Sequence, residues 1–463
     1  MEKVFTRFRP ELVALILAGV ATRLWNLFTP NAVIFDEVYF KAFAGGYLDH
    51  RYFFDIHPPL VKLMLAGWAA LFQIPLAELV SKTSPAVGLR VLPALAGILI
   101  VPLFWALLRR FGASRPFAFL GAFALLVDNA LVVESRLVVM DSLLILFGLS
   151  CIYFYLIAQN SRTRWYWLWL LLAAIAGGAA VSTKWTGATA LGVVGLMWLA
   201  DQYYHHVRLR RTLGSLAVLI VIPLTLYAGT FWVHLQLLSQ SGEGDAYMTP
   251  NFQAGLHGSN YYDPKVKMSF TDKFVELNKE MLSSNQTLTQ THPYGSRWYT
   301  WPLELRPIYY WQGQTLENGQ QGNIYLLGNP VVWWGVLLAG ISGLTYARFR
   351  RIQLRPATVG TLSVLGIAYL ANFLPFVGVP RVMFLYHYFF SFIFSVAFVV
   401  LLWNDLCADR DGRNQLAGRS SKAVYASVLA IMLAGFIFFA PLTYGTPLSP
   451  FELASHMWLS SWR

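Results

Sequence analysis

Apolar runs long enough to cross a membrane recur along almost the whole chain, separated by short polar connections. Taking about 17 to 25 apolar residues as one span, the pattern predicts helices near 10–29, 88–108, 115–133, 138–158, 165–182, 185–203, 213–234, 326–347, 357–377, 383–403 and 423–442. This is an all-α polytopic membrane protein with about eleven transmembrane helices, read as one membrane-embedded domain over 1–463. The first run lacks a small-residue cleavage pattern and is expected to be a retained span.

Basic residues punctuate alternate connections: Lys3, Arg7 and Arg9; Arg109, Arg110 and Arg115; Arg162 and Arg164; Arg208, Arg210 and Arg211; Arg348, Arg350, Arg351 and Arg355; Arg410, Arg413, Arg419 and Lys422. With the predicted spans, all of these fall on one side, which the positive-inside rule makes cytoplasmic. The N-terminus is then inside and the C-terminus outside. The composition agrees with a membrane class, at 56% hydrophobic and 13% charged residues, against roughly half apolar and a quarter charged in soluble domains. The net charge of +12 lies in clusters that orient spans, so no nucleic-acid partner is implied. Cys151 and Cys407 alone form no disulfide framework.

Two long connections fall on the outer face, 30–87 and 235–325, and long loops on a rigid scaffold are where sites are commonly built. The first carries FDEVYFKAFAGGYLDHRYFFDIHPPLVK over 35–62, which places Asp36, Glu37, Asp55 and His57 beside a span. Acidic groups at a membrane surface bind cations, relay protons or act as general bases. In its second half, Pro59 to Leu76, this loop is apolar enough for an interfacial or short re-entrant helix. The other long loop turns aromatic over THPYGSRWYTWPLELRPIYYW, 291–311, and its Trp and Tyr residues suit the headgroup layer.

A carboxylate acting as base toward a hydroxyl that attacks a sugar phosphate needs fixed cations for the leaving phosphate. Arg136 in ESRLVVMD and Lys184 in VSTKWTG lie in outer turns, and Arg23 lies near the outer end of the first span. His292 and Arg297 add donors in the second loop. Read singly, each has a plainer explanation. Asp36 and Glu37 can be a solvated pair at a helix end, and Asp55 and His57 can cap the turn before Pro58 and Pro59. Arg136 can pair with Glu134, Lys184 can snorkel, and Asp128 and Asp141 can orient Arg136. Asn285-Gln286-Thr287 is a formal glycosylation sequon.

FDEVYFKAFAGGYL, FFDIHPPLVK, ESRLVVMD, VSTKWTG, HPYGSRWYTWPLELRP and YHYFFSFIF, in this order from about Arg23 to about Phe394, resemble the protein O-mannosyltransferase family of membrane enzymes with the GT-C glycosyltransferase fold. The resemblance implies transfer of mannose from a polyprenyl- or dolichyl-phosphate carrier to Ser or Thr hydroxyls of proteins, on the non-cytoplasmic face, with inversion. It makes Asp36 the catalytic acidic position with Glu37 its catalytic neighbour. Arg23, Arg136 and Lys184 match basic positions associated with activity or the donor phosphate, while Asp55, His57, His292, Tyr294, Arg297 and Trp298 are candidate substrate contacts. It implies no cofactor and leaves a divalent metal open, with no metal ligands assigned. The partners implied are the lipid-linked sugar, a protein acceptor and membrane lipid. Eukaryotic members carry MIR repeats in the second long loop, and roughly 90 residues here leave no room for them, so the chain resembles the short bacterial type of the plasma membrane. Two alternatives remain: a GT-C transferase acting on a lipid or glycan acceptor, and an ion-coupled transporter, although no internal repeat of the transporter kind is evident.

Overall fold

The structure, a computed structural model, describes residues 9–205, 209–288, 291–408 and 419–463; Lys3, Arg7, Arg208, Arg410 and Arg413 of the basic clusters lie outside them. Helices occupy all of the expected positions. Helix α1 covers Pro10–Leu24, and the first long connection folds into α2 (Glu37–Leu48), α3 (Leu60–Leu71) and α4 (Leu76–Val80). Then come α5 (Val91–Arg110), α6 (Arg115–Leu126), α7 (Asn129–Ser135), α8 (Asp141–Gln159), α9 (Thr163–Thr183), α10 (Ala188–His205) and α11 (Leu209–Leu237). The second long connection holds α12 (Pro250–Gln253), α13 (Phe270–Thr287) and the strands β1 (Ile308–Thr315) and β2 (Gln321–Leu326). The chain closes with α14 (Pro330–Phe349), α15 (Pro356–Phe373), α16 (Phe389–Leu406), α17 (Arg419–Tyr444) and α18 (Pro450–His456).

Among the described residues, 8 helices are long and apolar enough to cross a membrane, or 9 if the bent pair α6–α7 is one span. Helices α1 and α10 stand at the other two expected positions. The span expected over 115–133 bends by 60° between Leu126 and Asn129, and the sequence supplies what each broken end needs. Asp128 caps α7 by accepting the Leu131 N–H at 2.9 Å. Arg23 donates to the freed carbonyls of Leu125 at 3.1 Å and Leu126 at 2.8 Å. A helix end inside a membrane needs such partners because no water reaches it. Burial divides the bundle into an inner group, with 72% of the α16 span buried, and an outer group, with 17% for α11.

The hairpin was not expected. β1 pairs antiparallel with β2, Ile308 opposite Leu326, around a turn with Gly319 at φ +75°. The Asn318-Gly319 pair is a hairpin turn signal. It is overshadowed in the sequence by the Trp and Tyr residues on one side, which suit a membrane surface, and by the apolar run on the other, which suits a span.

The turn between α9 and α10, KWTG, is tight. A Cβ on Gly187 would lie 2.3 Å from the Ala180 carbonyl oxygen and 2.9 Å from the Val181 nitrogen, both backbone atoms. Gly187→Ala is expected to cost about 2 kcal/mol or more by forcing this backbone apart, read as a lower unfolding temperature of the purified protein in detergent; an unchanged transition would contradict the packing.

Candidate active site

Asp36 lies at the start of α2, immediately after Phe35, whose φ of +46° is a strained conformation for a bulky residue. Glu37, one residue further on, holds that strain in place. It accepts four hydrogen bonds, from Arg90 Nε and Nη2 at 2.8 Å each, from the Ile34 N–H at 3.0 Å and from the Val138 N–H at 3.1 Å. Arg90 also donates to the carbonyls of Pro30 at 2.9 Å and Ala32 at 2.8 Å. Both side chains are buried. A carboxylate with its lone pairs so occupied is poorly placed to take a further proton, and Glu37 does not line the cavity that Asp36 faces. Its place is that of a positioning residue.

The Asp36 carboxylate, by contrast, has no hydrogen-bond donor assigned among the described residues, and its pKa is raised to about 7. Burial is the main cause; the Asp141 and Asp55 carboxylates push it further up, and the Lys184 ammonium pulls it back. A carboxyl group titrating near neutrality suits a general base.

Asp36 opens into a cavity of about 220 Å³. Lys184 lines it, paired with Asp141 at 3.2 Å and lying 4.9 Å above the Tyr386 ring. Asp55 lines it too, in an ion pair with the buried Lys62, which also donates to the His57 carbonyl. Burial lowers the His57 pKa well below its ordinary value, and Lys184, Lys62 and Arg381 add to this, so the imidazole is neutral. Glu134 accepts a hydrogen bond from the Tyr310 hydroxyl at 3.0 Å, and Arg381 completes the polar wall. Among the described residues no cluster of His, Cys, Asp or Glu is arranged to hold a metal ion.

A second cavity of about 510 Å³ shares His57, Asp141, Lys184, Arg381 and Tyr386 with the first. Beyond these it is walled largely by apolar side chains of α8, α15 and α16, among them Leu144, Ile145, Ala371, Phe389 and Phe390. An anionic head at the shared polar end and an apolar chain between the helices would match it. A third cavity, about 440 Å³, meets the others at Arg381 and contains His292, Arg297 and Trp298.

The residues expected from sequence thus separate into groups. Asp36, Asp55, His57 and Lys184 come together in one cavity; His292, Arg297 and Trp298 share another. Tyr294 lines neither: its ring lies under Arg306, with the guanidinium 5.6 Å from the ring centre. Arg136 is turned away, donating to the carbonyls of Arg23 at 2.9 Å, Trp25 at 2.7 Å and Asn26 at 3.0 Å, and stacking on Tyr444. It closes the C-terminal end of α1, just as Arg23 serves the break after α6; neither faces a cavity with Asp36. Asp141 and Glu134, read as neighbours of Arg136, instead face the Asp36 cavity. The Asn285 amide of the sequon is bonded to the Ile56 and Met281 carbonyls. Sequence reasoning missed Arg90, Arg381, Tyr310 and Tyr386. Arg381, a lone cation in the connection between α15 and α16, carried the same signal as Lys184.

An Asp-bearing loop lies over a helical bundle, with a polar cavity that continues into an apolar one, and solved structures agree on the fold. The chain superposes on the Saccharomyces cerevisiae protein O-mannosyltransferase Pmt1-Pmt2 complex bound to the sugar donor with a TM-score of 0.86 and 21% identity, over 98% of this chain and 92% of that one. It also matches an Archaeoglobus fulgidus oligosaccharyltransferase with a TM-score of 0.54 and 14% identity, over 97% of this chain and 57% of that one.

The chain belongs to the protein O-mannosyltransferase family. Residues 13–239 match the model of dolichyl-phosphate-mannose-protein mannosyltransferase, and 270–462 match that of the C-terminal four TMM region of protein-O-mannosyltransferase. Dolichyl-phosphate-mannose–protein mannosyltransferase 4 of Candida albicans is 29% identical over 340 residues, 68% of this chain and 43% of the relative. Protein O-mannosyl-transferase 1 of Mus musculus is 38% identical over 269 residues, 54% of this chain and 36% of the relative. The chain thus spans less than half the length of the curated relatives it matches.

Removing Glu37 leaves the buried Arg90 without its counter-ion. Glu37→Ala is expected to lower unfolding free energy by about 3–5 kcal/mol, measured by denaturant or thermal unfolding in detergent; a loss of activity with full stability would mean that Glu37 acts in the chemistry instead.

Proposed function

We propose that the chain transfers mannose from a polyprenyl- or dolichyl-phosphate carrier to Ser or Thr hydroxyls of proteins, with inversion at the anomeric carbon. The observation that carries this reading is the unpartnered Asp36 carboxylate in a sugar-sized cavity that runs past Lys184 and Arg381 into an apolar space between helices. The isoprenoid chain occupies that space and the phosphate lies against Lys184 and Arg381. The acceptor arrives from the outer side, where His292, Arg297 and Trp298 line the adjoining cavity.

As the acceptor oxygen attacks C1, its proton passes to Asp36, the C1–O bond to the phosphate breaks, and the electron pair leaves with the phosphate. Lys184 and Arg381 stabilise the charge that collects there. A phosphate leaves without being protonated, so one carboxylate suffices where a glycosidase needs two. Neutral His57 and the Lys62-held Asp55 shape the wall rather than exchange the proton.

The basic clusters support a cytoplasmic N-terminus and an active site on the opposite face. Their described members lie before α1, at the α5–α6, α8–α9, α10–α11 and α14–α15 connections and at the start of α17, whereas Asp36, Lys184 and Arg381 lie on other connections. The second long connection, filled by α12, α13 and the hairpin, supports the short bacterial type in the plasma membrane.

Purified protein given polyprenyl-phosphate-mannose and a Ser/Thr peptide is expected to form mannosyl-peptide. Asp36→Asn should lower turnover by at least 10²–10⁴-fold, to about the background rate, while donor affinity stays within a few fold; a fully active variant would remove Asp36 from the chemistry. Transfer to lipid or glycan acceptors alone, detected by mass spectrometry, would favour the second GT-C reading. Because the base must be unprotonated and titrates near 7, kcat/KM should rise with pH between about 6 and 8 and then level off. A profile flat across that range would contradict the assignment.

A further inference from the structure

Resting on the reading above, we propose that Glu134 and Tyr310 are the residues that read the hydroxyl pattern of the transferred sugar. Asp36, Asp55, Glu134 and Asp141 all line the cavity. Asp55 and Asp141 are each bound by a lysine, and Asp36 faces the attacking hydroxyl. Glu134 differs from all three. Its hydrogen-bond partner among the described residues is the neutral Tyr310 hydroxyl at 3.0 Å, on Oε2. It is nearly fully buried, with the carboxylates of Asp36 and Asp141 in the same cavity.

A carboxylate in that position has acceptor capacity to spare and is short of donors. A sugar entering the cavity leaves water, and its hydroxyls must find partners or lose affinity. Sugar hydroxyls are the donors that this group lacks.

Tyr310 is suited to hold Glu134 in place. It projects from the hairpin, its ring stacked on Phe35 with centroids 4.4 Å apart and its hydroxyl on Glu134. One side chain therefore fixes the distance between the carboxylate that reads the sugar and the strained residue that carries the base. A site that bonds a particular hydroxyl rejects analogues lacking it far more strongly than an apolar pocket can, because its own buried polar groups are left unpaired.

The test uses the full-length protein and a set of polyprenyl-phosphate donors carrying mannose, glucose, or mannose deoxygenated singly at C2, C3, C4 or C6. Glu134→Ala is expected to lower kcat/KM for the mannose donor by about 10- to 100-fold, chiefly through KM. For at least one deoxy donor the wild type should already have lost a comparable factor, and the substitution should add less than about 3-fold. Glu134→Gln, which retains hydrogen bonding, should recover most of the loss. Tyr310→Phe, which keeps the stacking on Phe35, should lose selectivity for the same hydroxyl, so the test survives a Glu134→Ala variant that fails to fold. Equal losses with every donor, or none with any, would overturn the inference while leaving mannosyl transfer by the wild type intact. No transfer by the wild type from any donor would reject the functional reading itself, and this inference with it.

Discussion

The turn that aims Asp36 has almost no regular structure, and its geometry depends on the buried ion pair of Glu37 with Arg90. Paired bonds join the two side chains, and the remaining capacity of each goes to the backbone: Glu37 to the amides of Ile34 and Val138, Arg90 to the carbonyls of Pro30 and Ala32. One charge pair thus holds together the turn before α2, the start of α5 and the link before α8. A buried pair is weak evidence for stability, since desolvation consumes much of the attraction. Here its value is geometric. A left-handed Phe35 persists only where the surroundings over-determine it, and this pair does so from one side while Tyr310 does so from the other.

That arrangement explains why adjacent acidic residues behave differently. Glu37 has its oxygens taken up by four hydrogen bonds, and Asp36 is left without assigned donors among the described residues, half-buried, and raised toward neutrality. Functional division between neighbours is set by what each side chain touches rather than by the residue type.

Most helices and the gathering of Asp36, Asp55 and His57 at one cavity were legible in the sequence, because hydrophobic run length and the clustering of acids beside a span are local signals. Lys184 was legible for the same reason. Arg23 and Arg136 show the limit. As cations near outer span ends they carry the same pattern as Lys184, yet both are used on backbone carbonyls, at the broken end of α6 and the C-terminal end of α1. Whether a cation meets a ligand or a helix terminus depends on where helices break, and the 60° bend after Leu126 leaves only a short polar interruption in a long apolar run. The hairpin escaped for a related reason: its strands are as aromatic as a membrane-surface loop, so the alternation that marks β1 is masked by residues that suit an interface equally well.

The charge balance of the cavity links the resting structure to turnover. Asp55 and Asp141 are paired with Lys62 and Lys184, and Arg381 lines the same cavity as Asp36. In the proposed reaction, an anionic donor arriving at Lys184 and Arg381 would weaken their hold on the carboxylates and raise the proton affinity of Asp36 just when an acceptor hydroxyl must be deprotonated. As charge moves onto the departing phosphate, the cations are drawn toward it, and the carbon they faced becomes positive and passes to the acceptor. The donor thereby strengthens the base that will act on its partner. For this, Asp36 needs to be free of fixed hydrogen-bond donors, whose bonds would stabilise the carboxylate and hold its pKa down. Its freedom is in turn available only because Glu37 accepts the bonds that hold the turn in place.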